Sequence, residues 1–319
     1  MCKNHTVDCF VVDAGARYGL HPTWQLAEHV GLFDLYEADP LEAERLIRKY
    51  AGHPNVSIHQ VALAEGPGEL EFELRHHRAL SSSFHVAKEA VDGEYKSDQF
   101  TAIESITVRA DSLDRIYPET DVHFLKLDVE GAELQVLRGA TKLLSSSVQG
   151  VRAEVCFAPV FDGAPLFGDI DAFLRAQGMI LLNLDYDGRG VPRTPFTLNN
   201  QYGRLVSSDG VWVIPNEVLA ERPGSGATQA LLRQSLFLLL NGASDYAVEA
   251  LLMWAEAGGL SQGDPESPLY QCVKRQIALL FKDLHYAPQM DQQLIHDTWV
   301  RIFLEPFPEL NMFWETIDQ

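Results

Sequence analysis

The sequence predicts an α/β protein: a mostly parallel sheet with helices on its faces, followed by a small all-α C-terminal region. Two observations carry this. The first sixty residues alternate strand, helix, strand, helix, strand, the order that places helices against a parallel sheet. Beyond about residue 221 the strand patterns stop and three helical stretches follow. The expected division is an α/β domain over 1–220 and a helical region over 221–319.

Each element follows from local pattern. CFVVDAG (9–15) is an apolar strand running into a glycine turn, and residues 20–30 read as a helix. LFDLYEADP (32–40) is a second strand that closes on acids and a proline. LEAERLIRKYAG (41–52) sets Leu41, Leu46, Ile47 and Tyr50 at helical spacing, with Gly52 as the stop. VSIHQVAL (56–63) is the third strand. GELEFELR (68–75) alternates apolar and polar, as an antiparallel strand with one wet face does. Residues 76–105 read as a loop or cover. SITVRADSLDRI (105–116) is a strand and a helical turn, VHFLKLD (122–128) a strand, AELQVLRGATKLL (132–144) its helix. VRAEVCF (151–157) is a strand and GDIDAFLRAQG (168–178) a helix closed by glycine. MILLNLDYDGRG (179–190) and DGVWVIP (209–215) form a terminal antiparallel pair. ERPGSGATQ (221–229) reads as a linker, and QALLRQSLFLLLNG, DYAVEALLMWAEAGG and LYQCVKRQIALLFKDL as helices.

Composition narrows the function classes. The formal charge is −20 across 319 residues, and no run of five basic residues occurs. Nonspecific binding to nucleic acid or anionic membrane needs local positive charge, so neither partner is expected. The four cysteines, Cys2, Cys9, Cys156 and Cys272, form no CxxC pair, which leaves zinc without support. The N-terminus has no apolar signal core, and the longest apolar run, LFLLL (236–240), is too short to span a bilayer. A cytoplasmic location is expected.

The glycine turn, VVDAGARYG, has the form D-x-G-x-x-x-G, with Asp13, Gly15 and Gly19. It sits where the first strand meets the first helix, the ligand crevice of an open α/β sheet. The spacing is neither the G-x-G-x-x-G dinucleotide fingerprint nor a P-loop. An acid at its start repels a pyrophosphate and suits a ligand with an ammonium group. Glu37 ends the second strand, where a carboxylate can accept hydrogen bonds from two ribose hydroxyls. A ligand with an ammonium, a ribose and no phosphate fits both: S-adenosylmethionine. The bland alternative is a structural turn and a solvated Glu.

KLDVEGAEL (126–134) packs three acids into six positions. Asp128 ends a strand at the carboxyl edge of the sheet, and Glu130 and Gly131 make the turn. Glu133 falls in the first turn of the next helix, where the macrodipole favours negative charge. Asp128 and Glu130 are therefore the candidates to steer a hydroxyl or take its proton. His21 and His85 are candidate bases; His76 and His77 read as solvated loop residues. Methyl transfer can also proceed by positioning alone, without a base. Glu154 interrupts an apolar strand, and a buried acid needs a partner. It can line an acceptor pocket or join Asp128 around a divalent ion, but two acids without a third ligand argue for no metal. Ser81, Ser82 and Ser83 can hydrogen-bond a polyhydroxylated acceptor, but a run of serines reads more simply as loop.

FLKLDVEGAELQVLRGA resembles the signature of the FkbM family of S-adenosylmethionine-dependent methyltransferases. The blocks VVDAGARYG, LYEADP, VALAEGPGELEF, SSSF, ITVRADSLD and FLKLDVEGAE follow that family's order over roughly residues 9–215. The resemblance implies a class I methyltransferase (Rossmann-like) fold, a seven-stranded sheet of order 3-2-1-4-5-7-6, and methyl transfer to a hydroxyl of a sugar, glycan or secondary metabolite. It implies Asp13, Gly15, Ala16 and Gly19 as the donor-binding turn and Glu37 as the ribose acid. Ala38 and Asp39 then flank the adenine, with Ala62 and Leu63 bordering it, and Asp128, Glu130 and Gly131 form the late block. The family often has Asn where this chain has Arg17. That guanidinium either pairs with the donor's carboxylate or faces away. The helical tail is not part of the resemblance; covering the acceptor or forming a homo-oligomer are roles it can serve. A Rossmann-type oxidoreductase and a cofactor-binding module without activity are the competing readings.

Overall fold

The computed structural model describes residues 8–92, 97–185, 188–190, 203–259, 264 and 266–280. The main sheet has the strands β1 (Cys9–Ala14), β2 (Gly31–Tyr36), β3 (Val56–His59), β7 (Phe124–Leu127), β8 (Gly150–Cys156), β9 (Ile180–Leu184), β10 (Gly188–Gly190) and β11 (Arg204–Val213). Their order is β10-β11-β8-β7-β1-β2-β3, with β9 also pairing β11. β1 runs parallel to β7, β7 to β8 and β2 to β3, whereas β11 is antiparallel to β8. β9 and β10 lie end to end along the outer edge of β11. The order is the expected 3-2-1-4-5-7-6, with its last edge broken into two strands, so the sheet has eight strands rather than seven.

A second sheet was not expected. β4 (Ala62–Leu63), β5 (Gly68–Arg75) and β6 (Ala102–Asp111) pair in the order β4-β6-β5. The stretch 56–63 is therefore two strands. Its first half stays with β2, and Ala62–Leu63 turns away to pair with Ala110–Asp111. β5 and β6 make the antiparallel ribbon that the alternation of GELEFELR predicts.

The other departures are local. α1 covers only Pro22–Gln25, and four-residue turns, Ala27 N–H to Trp24 O and Val30 N–H to Ala27 O, follow it. α2 (Pro40–Lys49) begins with Asp39 as cap, accepting from the Leu41 N–H at 3.1 Å, and with proline in its first turn. It buries Ala43 and Leu46, while Leu41 and Ile47 are exposed, so the apolar face lies one position off the expected one. Short helical turns α3 (Lys88–Val91) and α4 (Leu113–Ile116) lie in the cover segment and after β6.

The helix expected over 132–144 is two: α5 (Glu133–Arg138) and α6 (Thr141–Ser146). Gly139 separates them. A Cβ there would sit 2.2 Å from the Ala64 carbonyl oxygen. The Gly139 carbonyl accepts from the Asp114 N–H at 2.8 Å, and the Asp114 carboxylate caps α6 through Lys142 N and Leu143 N. α7 (Phe167–Ala176) precedes β9.

The chain divides into two compact units. One, Phe10–His21 with Leu32–Val213, holds both sheets, and its core is the fully buried Val11, Val12, Leu35, Phe124, Leu125, Leu127 and Val151. The other gathers Pro22–Gly31 and the segment from Ile214 onward. It holds α8 (Asn216–Ala220), α9 (Ser225–Leu240), α10 (Ser244–Glu256) and α11 (Pro268–Leu280). α9 starts inside the stretch read as a linker. Trp24 packs on Phe237 and Trp254 on Tyr270. No described helix is long and apolar enough to cross a membrane.

Candidate functional site

The strands of the main sheet deliver their C-terminal ends to one crevice. β1 ends in the turn at Gly15, whose φ is +76°. The Gly15 and Ala16 N–H groups both donate to the Tyr36 carbonyl, at 3.0 and 3.1 Å, and the Asp128 N–H donates to the Ala14 carbonyl at 3.1 Å. The turn is thereby fixed between the ends of β2 and β7. A Cβ on Gly15 would sit 1.7 Å from the Asp128 carbonyl oxygen. Only glycine allows that approach.

Over this crevice lies a cleft of about 620 Å³. The expected residues Gly15, Arg17, Glu37, Ala38, Ala62, Leu63, Asp128 and Glu130 all line it. Asp13, Ala16 and Gly19 do not. Asp13 is buried behind the turn, its carboxylate accepting from the His21 N–H at 3.3 Å. The Gly19 N–H closes the turn on the Ala16 carbonyl at 2.8 Å.

Several further residues line it. Val61, Leu70 and Phe72 come from the second sheet and its approach, so that sheet walls one side with apolar surface. Ser81 and Ser83 come from the stretch read as bare loop. Ser82 between them donates to the Glu130 carbonyl at 2.6 Å. The stretch is tied down by Arg75, which is fully buried. Its guanidinium donates to the Leu80 and Phe84 carbonyls, pairs with Glu73 at 2.9 Å and lies over the Phe161 ring.

Of the acids of KLDVEGAEL, Asp128 faces Lys126. Its Nζ lies 3.0 Å from Asp128 Oδ2 and 3.6 Å from Asp13 Oδ1. Burial works to lower the Lys126 pKa, but the two carboxylates outweigh it and raise it. Sequence alternation contained this signal: Lys126 and Asp128, two apart on a strand, share a face. Asp13 remains costly despite its partner, and burial pushes its pKa up to about 6. Glu130 adopts φ +54°, a left-handed conformation unfavourable for a non-glycine residue and common at functional sites. Glu133 turns back on the loop, accepting from the Val129 N–H at 2.8 Å and the Gly131 N–H at 3.1 Å.

Glu154 on β8 meets Asp128, and Glu130 joins them as the third acid missing from that pair. One oxygen from each of Asp128, Glu130 and Glu154 lies within 4.8 Å of the others. Burial, then repulsion from these neighbours, raises the pKa of both Glu130 and Glu154 well above the usual carboxylate range. Oxygen ligands of this kind suit a hard divalent cation, whereas Lys126 already brings a cation to Asp128.

The two histidines are not brought together. Burial lowers the His21 pKa to about 4, with Lys126 and Arg152 adding to it, so its imidazole is a weak base at neutral pH. His85 lies outside the cleft, in a separate opening beside Lys88 and Asp162, with its Nδ1 2.7 Å from Glu73. Arg17 turns to Asp39, at 3.1 Å. Glu37 accepts from the Asp39 N–H at 2.8 Å, and burial raises its pKa to about 7.

A methyltransferase FkbM domain model matches residues 13–181, more than half of the 319. The chain belongs to the FkbM methyltransferase family. S-adenosylmethionine is the methyl donor of such families in general. The FkbM domain thus covers the glycine turn, Glu37, the late acidic block and the second sheet. Among curated proteins no sequence matches. Solved structures that resemble the chain include a methyltransferase FkbM from Methylobacillus flagellatus KT, at 14% identity and a TM-score of 0.38, covering 65% of this chain and 44% of that one. EvdMO1 follows at 11% identity and a TM-score of 0.33, covering 67% and 39%. The 23S rRNA methyltransferase ErmE is 15% identical with a TM-score of 0.30, covering 85% and 92%. The chain spans less than half the length of the first two.

Proposed function

We propose that the protein transfers the methyl group of S-adenosylmethionine to a hydroxyl oxygen of a sugar, glycan or other metabolite, through the cleft over β1, β2 and β7. The 1–220 stretch carries this activity and the 221–319 stretch is an accessory helical region. The observation that carries the reading is that the Gly15 turn, Glu37 and Asp128 line one cleft together with an apolar slot. The slot of Ala38, Val61, Ala62, Leu63, Leu70 and Phe72 suits an adenine. Glu37 takes the ribose hydroxyls, and the amino-acid end lies over Gly15 beside Asp128. The sulfonium then faces the carboxyl group of Asp128 and Glu130.

In the reaction the acceptor oxygen attacks the methyl carbon in line with sulfur. The carbon–sulfur bond breaks, and the sulfonium becomes a neutral thioether. The hydroxyl proton passes to the Asp128–Glu130 pair, which lines the cleft, rather than to His21 or His85. No metal enters this scheme. Positioning supplies much of the rate, since a held nucleophile converts a bimolecular step into a unimolecular one.

Calorimetric titration with S-adenosylhomocysteine tests the donor site, with NAD as the parallel titrant. Micromolar binding of the first and none of the second is expected. Saturable NAD binding without S-adenosylhomocysteine binding would return the oxidoreductase reading.

The pH dependence of that binding follows from Glu37. Its protonated form can accept only poorly from two hydroxyls, and the carboxylate fraction grows as pH rises through about 7. Affinity for S-adenosylhomocysteine is therefore expected to rise between pH 6 and pH 8, by about tenfold at most. Glu37→Gln should weaken binding and flatten the profile. An unchanged slope in that variant would assign the pH dependence to another group.

A further inference from the structure

We propose that Arg17 and Arg78 form an anion subsite at the nucleoside end of the cleft, which takes a phosphate or carboxylate carried by the acceptor. The proposal rests on the donor reading above. Both arginines line the cleft. Arg17 Nη2 lies 3.1 Å from Asp39 Oδ2, and Arg78 Nη1 lies 3.9 Å from the same oxygen. The second oxygen of Asp39 is occupied as the cap of α2. One carboxylate oxygen thus serves two guanidiniums, each of which carries five N–H donors.

Arg78 is the less satisfied of the two. Its Nη1 is buried and has no hydrogen-bond partner among the described residues. Its side chain remains 29% exposed, so the group faces both the cleft and its mouth. Neither arginine makes an ion pair with Glu37 among the described residues. Glu37 instead points to the Asp39 N–H. A buried guanidinium nitrogen without a partner is expensive, and a fork of paired N–H groups matches a phosphate or carboxylate bidentately.

The donor does not meet this demand. It has no phosphate, and its one carboxylate shares a carbon with its ammonium. Both therefore lie at the amino-acid end, over Gly15 and beside Asp128 and Lys126. Asp39, where the guanidiniums converge, lies two residues beyond Glu37 at the ribose end. The anion must come with the second ligand. Such an acceptor is a phosphorylated or carboxylated sugar or metabolite rather than a neutral one.

The test uses the full chain saturated with S-adenosylhomocysteine and titrated with inorganic phosphate. Saturable millimolar binding is expected, weakened about tenfold or more by Arg78→Gln and partly restored by Arg78→Lys. Arg17→Gln gives the same result by an independent change, and urea unfolding of each variant identifies any loss caused by misfolding. A second arm compares S-adenosylhomocysteine with 5′-methylthioadenosine, which lacks the amino-acid group. The ratio of their affinities should be the same in wild type and Arg78→Gln. A ratio that collapses in the variant would mean that Arg78 holds the donor's own carboxylate, and would overturn the proposal. So would absence of phosphate binding in the wild type, or phosphate binding indifferent to both substitutions. If the wild type fails to bind S-adenosylhomocysteine, the donor reading falls, while phosphate titration of the free protein still decides whether the arginine pair takes an anion.

Discussion

Gly15→Ala is expected to abolish binding of S-adenosylhomocysteine and to destabilise the protein. Two costs add at this position. The backbone has φ +76°, where any side chain is strained by about 1 kcal/mol. The new Cβ would also sit 1.7 Å from the Asp128 carbonyl oxygen, which belongs to the neighbouring strand end and is not a movable side chain. Relief requires β1 and β7 to part at their carboxyl ends, and overpacking of this kind costs about 1–3 kcal/mol. The same movement would displace Asp128 and the turn proposed to face the donor. Gly52→Ala separates the two effects. Gly52 has φ +78°, but a Cβ there meets nothing within 4 Å, so only the strain of about 1 kcal/mol applies. Urea unfolding of both variants, with calorimetry, checks the claim. If Gly15→Ala binds S-adenosylhomocysteine within a few-fold of wild type, the close approach of the two strand ends is not what shapes the site.

What the sequence revealed, and what it hid, follows from the range of the interactions. The parallel sheet was legible because strands and helices alternate, whereas its strand order was implied only by the family resemblance of the glycine turn and the late acidic block. The glycine turn, Glu37 and Asp128 were legible because each stands at the end of a strand, and parallel strands bring their ends together. Gly139 was read through as helix because its role is a contact with Ala64, 75 positions earlier in the chain. The split between β3 and β4 was hidden for the same reason: Ala62 and Leu63 leave the main sheet for a partner at Ala110 and Asp111. Leu41 and Ile47 fit a helical period but lie on the wrong side of it, since Ala43 is small enough to be overlooked as a core residue. The pairing of Glu154 with Asp128 was legible, but Glu130 as the third member was not, because the turn that brings it there forms only in the fold. Arg75 shares a strand face with Glu73, but nothing local marks its other partners or those of Arg78. Those partners are carbonyls and a carboxylate that only folding assembles.

Lys126→Met should be the most damaging substitution that leaves the shape of the site intact. The ammonium is buried between Asp13 and Asp128, and methionine fills nearly the same volume without the charge. Removing one partner of a buried ion pair costs about 3–5 kcal/mol, because it leaves a charge without compensation. Asp13 bears most of this. It is fully buried, and its Oδ1 has no hydrogen bond among the described residues. With Lys126 gone, its pKa rises further above the value of about 6 that burial already imposes. A folded-state pKa above the unfolded value of 3.8 contributes stability that is complete below about pH 4 and is lost as pH climbs through the folded value. The deficit of Lys126→Met should therefore be smaller at pH 5 than at pH 8. Adding Asp13→Asn to Lys126→Met removes the stranded charge and should recover part of the loss, a coupling that a double-mutant cycle measures directly. A deficit independent of pH, or a double variant no more stable than the single one, would mean that Lys126 acts through packing. In that case Asp128 is held by the turn alone, and the acids of KLDVEGAEL are balanced by a bound ligand rather than by the strand that carries them.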